Sequence, residues 1–312
     1  MNIGILGTGF GAYHAALLNK LDGVGRITVF GRNEDKLNKL KEEFGVEITQ
    51  SAADIMNDPS IGVVDICLPS NLHSEYAVMA LKAGKDVFCE TPVGLTLEDA
   101  KKMADAEKAS GRRVLVNQFI KFEPAYQYLY NAAKQETYGK LLKLTLKRES
   151  APLWGDLGLE MITPTFMIHE LDFITWLLDY PEISDVWGTT GVNAEQSLVS
   201  ASFYKQDISA GVLVSSLMPD TYPFTVEYEA YFERAKLKFH ECDDMKGGVD
   251  TALYEYTASG RKRIELTAQN PYEKSLQYAL TCFQNGSESI LALPHAARSL
   301  QMALSLRRQL IK

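Results

Sequence analysis

The sequence is short of what would mark a membrane, secreted or nucleic-acid-binding protein. No apolar run among its 312 residues approaches the roughly 20 that a membrane span requires, so no membrane partner is expected. The four cysteines, Cys67, Cys89, Cys242 and Cys282, show no Cys-x-x-Cys spacing. Neither a disulfide framework nor a thiolate knuckle follows from them, and reduced core thiols are the expectation. Lysine and arginine number 32 against 40 aspartates and glutamates, a net charge of −8, and the basic residues are dispersed, Arg261-Lys262-Arg263 being the densest run. That balance argues against a nucleic-acid surface. Repeats, low-complexity stretches and long linkers are also lacking. Met1-Asn2-Ile3 leads straight into a strand pattern with no signal peptide visible, so a cytoplasmic location is expected. His240-Glu241-Cys242-Asp243-Asp244 has a metal-like composition, but adjacent side chains do not converge easily on one ion, and no metal is expected.

What is present begins with a strand, a glycine-rich turn, a helix and a second strand over residues 2–32. Ile3, Ile5 and Leu6 lead into Gly7-Thr8-Gly9-Phe10-Gly11-Ala12, and Ile27-Thr28-Val29-Phe30 ends in Gly31-Arg32. Gly7 permits a tight turn, Gly9 lets the backbone approach a pyrophosphate, and small Ala12 lets the helix pack closely on the strand. The helix N-terminus then offers N–H groups and a positive dipole end to the phosphates. An Asp or Glu about 20 residues beyond the glycines would bond the ribose hydroxyls of NAD. Here Gly31, Arg32 and Asn33 stand in that region. Without a carboxylate there is no repulsion against a 2′-phosphate, and a guanidinium can grip one, so NADP is the expected cofactor. If Arg32 is only a solvated turn residue, NAD serves instead.

Up to about residue 120, short apolar runs alternate with helical segments: Val63 to Leu68, Val87-Phe88-Cys89 and Val114-Leu115-Val116 are the strand candidates. This alternation predicts an α/β, doubly wound parallel sheet with ligands at the strand carboxyl ends. Leu68-Pro69-Ser70-Asn71, Glu90-Thr91-Pro92 and Asn117-Gln118 all follow such ends, so one crevice can collect them. From about 140 the period changes to two: Leu142, Leu144 and Leu146 alternate with Lys143, Thr145 and Lys147, and similar patterns recur near 197–204, 209–216, 224–232 and 252–257. This predicts a mainly antiparallel sheet whose second face meets solvent, helices or a partner subunit. The expected division is a dinucleotide-binding domain at 1–121 and a second domain at 122–312.

Thr163-Pro164 reads as an N-cap and first helical residue, followed by a nearly all-apolar helix through Leu178. Thr165, His169 and Asp172 form its single polar stripe, a pairing that is either structural or orients an imidazole as a general base. Trp154, Tyr126 and Trp176 are candidate walls for a sugar ring, or ordinary packing.

These residues resemble the glucose-fructose oxidoreductase / inositol dehydrogenase (Gfo/Idh/MocA) family along nearly the whole chain. The motifs are Gly7 to Ala12 with His14, Leu68-Pro69-Ser70-Asn71-Leu72-His73, Gly84 to Pro92, Phe122-Glu123-Pro124-Ala125-Tyr126 and His169-Glu170-Leu171-Asp172. The resemblance implies a Rossmann domain and an α/β domain with a large open sheet that usually makes homodimers or homotetramers. It also implies NAD(P)-dependent oxidation or reduction of a sugar, cyclitol or related polyol. Pro69, Ser70, Asn71 and His73 fall on the loop bordering the nicotinamide, Glu90 on the cofactor-contacting glutamate, and His169 on the catalytic histidine.

Two positions depart from the family pattern. Its Glu-Lys-Pro reads Glu90-Thr91-Pro92, so the usual catalytic lysine is missing, and the aspartate four residues before the histidine is Thr165. Threonine donates a hydrogen bond but supplies neither positive charge nor a titratable amine. Either His169 works alone with Thr91 positioning the substrate, or Lys121 supplies the charge unless it is a solvated surface residue. An NAD(P)-dependent oxidoreductase is the leading function. A non-catalytic sugar- or cofactor-sensing protein and an NAD-dependent glycoside-cleaving enzyme are the alternatives.

Overall fold

The computed structural model describes all residues except Trp154, Asp244, Met245 and Lys312. Two compact units are formed, Met1–Phe119 with Asn270–Leu300, and Ile120–Gln269 with Gln301–Lys312.

In the first unit, β1 (Asn2–Leu6), α1 (Phe10–Leu18), β2 (Ile27–Phe30), α2 (Glu34–Phe44), β3 (Glu47–Thr49), α3 (Ala52–Asn57), β4 (Ile61–Ile66), α4 (His73–Lys82), β5 (Asp86–Cys89), α5 (Leu97–Ser110) and β6 (Val114–Val116) alternate. The strands form one parallel sheet in the order β3-β2-β1-β4-β5-β6. Local signals set the helix ends. The Asn33 side chain accepts from Lys36 N and α2 stops at left-handed Gly45, whereas Thr96 and Asp99 form a capping box and α5 stops at Gly111. Chain order reverses between β1 and β4, so their carboxyl ends flank the switch point where such sheets take ligands.

The second unit contains α6 (Pro124–Lys134), β7 (Leu141–Glu149), α7 (Ile162–Thr165), α8 (Ile168–Leu178), β8 (Glu182–Thr190), β9 (Ser197–Lys205), β10 (Ile208–Ser215), β11 (Thr225–Phe232), β12 (Ala235–Asp243), β13 (Val249–Thr257) and β14 (Gly260–Ile264). Its eight-stranded sheet runs β14-β13-β12-β11-β7-β10-β9-β8 and is antiparallel at every pairing but β7/β10. Inward residues such as Leu144, Leu146, Tyr228 and Phe239 bury with Tyr126 and Phe173 from the helices. Tyr126 is therefore core, and not a pocket wall. Alternate residues make ion pairs, Lys147 with Glu149 and Glu227, and Lys236 with Glu229. The period-two reading fails at Leu142, which is exposed while Leu141 is buried. A register shift between Tyr231 and Phe232 on the partner strand moves the inward role by one residue.

Thr163 is not an N-cap. It lies inside the short α7, its hydroxyl donating to Ala303 O at 3.0 Å, and the helical path breaks before α8 begins. Last come α9 (Pro271–Asn285), capped by Asn270, and α10 (Leu293–Leu310). The segment 270–300, which the linear division puts in the second domain, packs with the first unit. Ser275 Oγ donates to Asn117 Oδ1 at 2.6 Å, Arg113 Nη1 to Cys282 O at 2.9 Å, and Val116 N to Leu291 O at 2.8 Å.

Candidate functional site

The glycine turn is built as its sequence requires. Gly7 has φ +118°, and a Cβ there would lie 2.5 Å from Cys67 O, so only glycine fits between β1 and β4. A Cβ on Gly9 would meet nothing within 4 Å. That open side is where a pyrophosphate would approach α1, which starts without a side-chain cap. Gly11 also packs α1 closely on the strand, since a Cβ there would fall 2.9 Å from Ile5 Cγ2, and Ala12 beside it is half-buried. Thr8 lies over buried Gly31, where a Cβ would be 2.4 Å from Thr8 Cγ2. Phe10 and Arg32 are exposed, and the Arg32 guanidinium makes no hydrogen bond or ion pair among the described residues.

The loops after β4, β5 and β6 meet at the same carboxyl edge. Asn117 Nδ2 donates to Glu90 Oε1 at 2.5 Å, and Thr91 N to Glu90 Oε2 at 3.3 Å. Asn117 is itself fully buried, so it acts on a ligand only through Glu90. His73 is also buried, its Nδ1 2.8 Å from Pro92 O and its Nε2 2.7 Å from Leu68 O. With both ring nitrogens engaged, His73 clamps the 68–72 loop to the 90–92 loop and presents no nitrogen to a ligand. Pro69 and Asn71 are exposed, Leu68, Ser70 and Thr91 half-buried.

A second polar cluster lies within the other unit. Lys121 is buried, its ammonium 5.9 Å from the centre of the Trp176 ring, which excludes the solvated-surface alternative. Burial lowers its pKa and the Asp172 carboxylate raises it, leaving it at about 8. The stripe on α8 reduces to His169 and Asp172, because Thr165 lies in α7 and its hydroxyl donates to Met161 O at 2.5 Å. Burial, and after it the Arg148 guanidinium, hold the His169 pKa well below the ordinary imidazole value. The ring is neutral at physiological pH, yet keeps partial solvent access. Trp176 stacks on Tyr130 at 3.6 Å, and Trp154 lies outside the described residues.

Sequence reasoning passed over three charged groups that are buried here. Arg148 Nε donates to both Glu170 oxygens, at 2.8 and 2.9 Å, with the guanidinium 5.8 Å from the Phe166 ring centre and 5.4 Å from that of Phe224. Asp65 pairs with His14. Their signal was available: Asp65 interrupts an apolar strand, Arg148 holds an inward strand position and Glu170 sits in an apolar helix, and buried charges require partners. In the metal-like run, His240 and Cys242 come together with Asp250, their donor atoms all within 4.8 Å, and His240 Nδ1 is 2.7 Å from Glu227 Oε1. Asp244 lies outside the described residues.

A family model described as an oxidoreductase family with an NAD-binding Rossmann fold matches residues 1–118. The chain is 27% identical over 224 residues to myo-inositol 2-dehydrogenase of Thermotoga maritima, covering 69% of this chain and 64% of that protein. It is 29% identical over 189 residues to inositol 2-dehydrogenase of Pseudomonas syringae pv. syringae, covering 59% and 56% respectively. The matches thus span less than two thirds of the length of these curated relatives. Among solved structures, a 3-ketoreductase from Actinomadura kijaniata in complex with NADP and TDP-benzene superposes with TM-score 0.85 at 14% identity, covering 99% of this chain and 97% of that one. UDP-N-acetylglucosamine 3-dehydrogenase from Acidithiobacillus ferrooxidans gives 0.80 at 18% identity, with the same coverage. At these identities the structural likeness establishes the fold alone. No helix among the described residues is long and apolar enough to cross a membrane.

Proposed function

We propose, from the premise that this chain belongs through residues 1–118 to the Gfo/Idh/MocA family of NAD-binding Rossmann oxidoreductases, that it is an NAD(P)-dependent dehydrogenase or reductase. Its substrate in this reading is a cyclitol, sugar or related keto-sugar, a class supported by the inositol dehydrogenases among its relatives. The observation that carries the reading is the turn at the switch point: Gly7 locked against Cys67, Gly9 open, and no carboxylate at the end of β2. The lone exposed Arg32 supports NADP over NAD.

The bound nicotinamide supplies the hydride acceptor or donor. Gly9 and the start of α1 would hold the pyrophosphate, Glu90 and the 68–71 loop would border the nicotinamide, and half-buried Thr91 beside Glu90 offers a hydroxyl there. Lys121 takes the place of the family's missing lysine. With a pKa of about 8 it can exchange a hydroxyl proton near neutral pH, whereas neutral His169, in the same unit, offers a hydrogen bond without carrying charge. Asp172 holds the Lys121 charge.

The test is turnover of purified protein with NADPH and NADH on a panel of inositols, sugars and their ketones. Turnover is expected with at least one member, and Lys121→Met should lower kcat by about 10²–10⁴-fold. Tight dinucleotide binding with no turnover on any member would instead favour the sensing role that Thr91 suggests.

A further inference from the structure

At the carboxyl edge of the first unit's sheet lies one ionisable group that the proposed hydride chemistry leaves unused. His14, in the second turn of α1, is fully buried, and each ring nitrogen faces a carboxylate. Nδ1 is 2.8 Å from Asp65 Oδ2, and Nε2 is 3.0 Å from Glu90 Oε1, the latter an ion-pair contact that does not meet hydrogen-bond geometry. A neutral imidazole carries one N–H and can serve one of these carboxylates, whereas a protonated ring presents an N–H to both. Around an uncharged ring the two carboxylates would also repel at low dielectric. The other titratable group against the ring is the Cys67 thiol, its Sγ 3.4 Å from Nδ1 and its pKa pushed up by burial, so it remains neutral. The Phe10 and Phe88 rings, at 5.2 and 6.1 Å, close off the imidazole. Burial lowers the His14 pKa, but the Asp65 carboxylate brings it well above the ordinary value.

The ring joins segments that a dinucleotide site must hold in register. α1 carries the glycine turn at its N-terminus, Asp65 lies near the end of β4, and Glu90 directly follows β5. Beyond Glu90 the chain of contacts runs on to Asn117 after β6 and to Ser275 on α9. We infer that His14 is a positioning residue: a buried imidazolium shared by Asp65 and Glu90, it fixes the Glu90 carboxylate in the orientation that the dinucleotide site uses. The dinucleotide part rests on the function proposed above, while the charge on the ring does not.

Two measurements test this. In protein labelled with 15N-histidine, the His14 ring at about pH 8, well above an ordinary imidazole pKa of about 6.5, should show both nitrogens protonated. A neutral ring overturns the inference. The second is fluorescence titration of NADPH and NADH against wild type, His14→Gln, Glu90→Gln and the double variant, with Tm measured alongside. Each single change should weaken binding by about tenfold, the size of one lost charged contact, and the double should be no worse than the weaker single. Losses that multiply, or unchanged affinity in a folded single variant, overturn it. If His14→Gln does not fold, Asp65→Asn keeps the shape and removes one charge partner; a several-fold weaker affinity is expected, and unchanged affinity overturns the inference. A wild type that binds neither dinucleotide sinks the proposed function instead, and the labelled ring still decides the charge state.

Discussion

A methyl group added at Gly7 and one added at Gly9 should have opposite effects, although the two glycines lie in one turn. At Gly7 the added carbon meets a backbone oxygen and the φ of +118° disfavours any side chain, so Gly7→Ala should destabilise the protein by about 1–3 kcal/mol in urea unfolding. At Gly9 it meets nothing, so Gly9→Ala should change stability by less than about 0.5 kcal/mol and yet raise the Kd for NADPH. Equal loss of stability in both variants would count against the open side of Gly9 as a phosphate site. Lys121 makes a second prediction at this scale. Alcohol oxidation needs the amine deprotonated, so its rate should rise with pH through about 8, while ketone reduction falls over the same range. A profile flat from pH 7 to 9, about a unit either side of that pKa, would remove Lys121 from proton transfer.

Between elements, what matters is how charges that strands and helices carry inward are matched. Arg148 on β7 and Glu170 on α8 neutralise each other in the core of the second unit, and Arg148→Met leaves the carboxylate alone there. A loss of about 3–5 kcal/mol is expected by chemical denaturation, and most should return in an Arg148→Met, Glu170→Gln double variant. Glu123, just before α6, is a different case. Burial, and then the nearby Glu241, push its pKa up to about 8 from an ordinary 4.5, so the folded protein holds a proton that the unfolded chain releases. Its contribution is complete below pH 4.5 and is lost as pH rises through about 8. Thermal unfolding across that range should show the decline in wild type and less of it in Glu123→Gln. Helix boundaries were legible wherever a side chain or glycine makes the cap, as at Asn33, Thr96 and Asn270. They were not legible at Thr163, because tertiary contact with Ala303 uses the hydroxyl that a cap would need.

For the whole molecule, a ligand that binds only the folded state stabilises it by mass action. NADPH at about a hundred times its Kd should therefore add about 2.7 kcal/mol, and a smaller shift with NADH at the same concentration would support the role given to Arg32. If Arg32→Ala removed the two shifts equally, Arg32 would not be reading the 2′-phosphate. The family resemblance implies self-association through the second unit's open sheet, and light scattering of the purified protein tests that expectation.

Much of this architecture was legible because it is written in local patterns. Apolar strands alternating with capped helices, the spacing of Gly7, Gly9 and Gly11, and the change to period two near residue 140 each express a backbone requirement that only a few residue types meet. Those patterns determined a doubly wound sheet with a dinucleotide turn, followed by a mainly antiparallel one. Tertiary structure alone decided which ionisable groups meet. It buried Lys121 beside Asp172, left His169 neutral, set His14 between Asp65 and Glu90, and returned residues 270–300 to the first unit. The physical reason is that a charge state depends on desolvation and on partners distant in sequence, and neither is carried by the spacing of residues along the chain. The glycine turn therefore spoke for a dinucleotide site, and the surroundings of Thr91 and Lys121 waited on the fold.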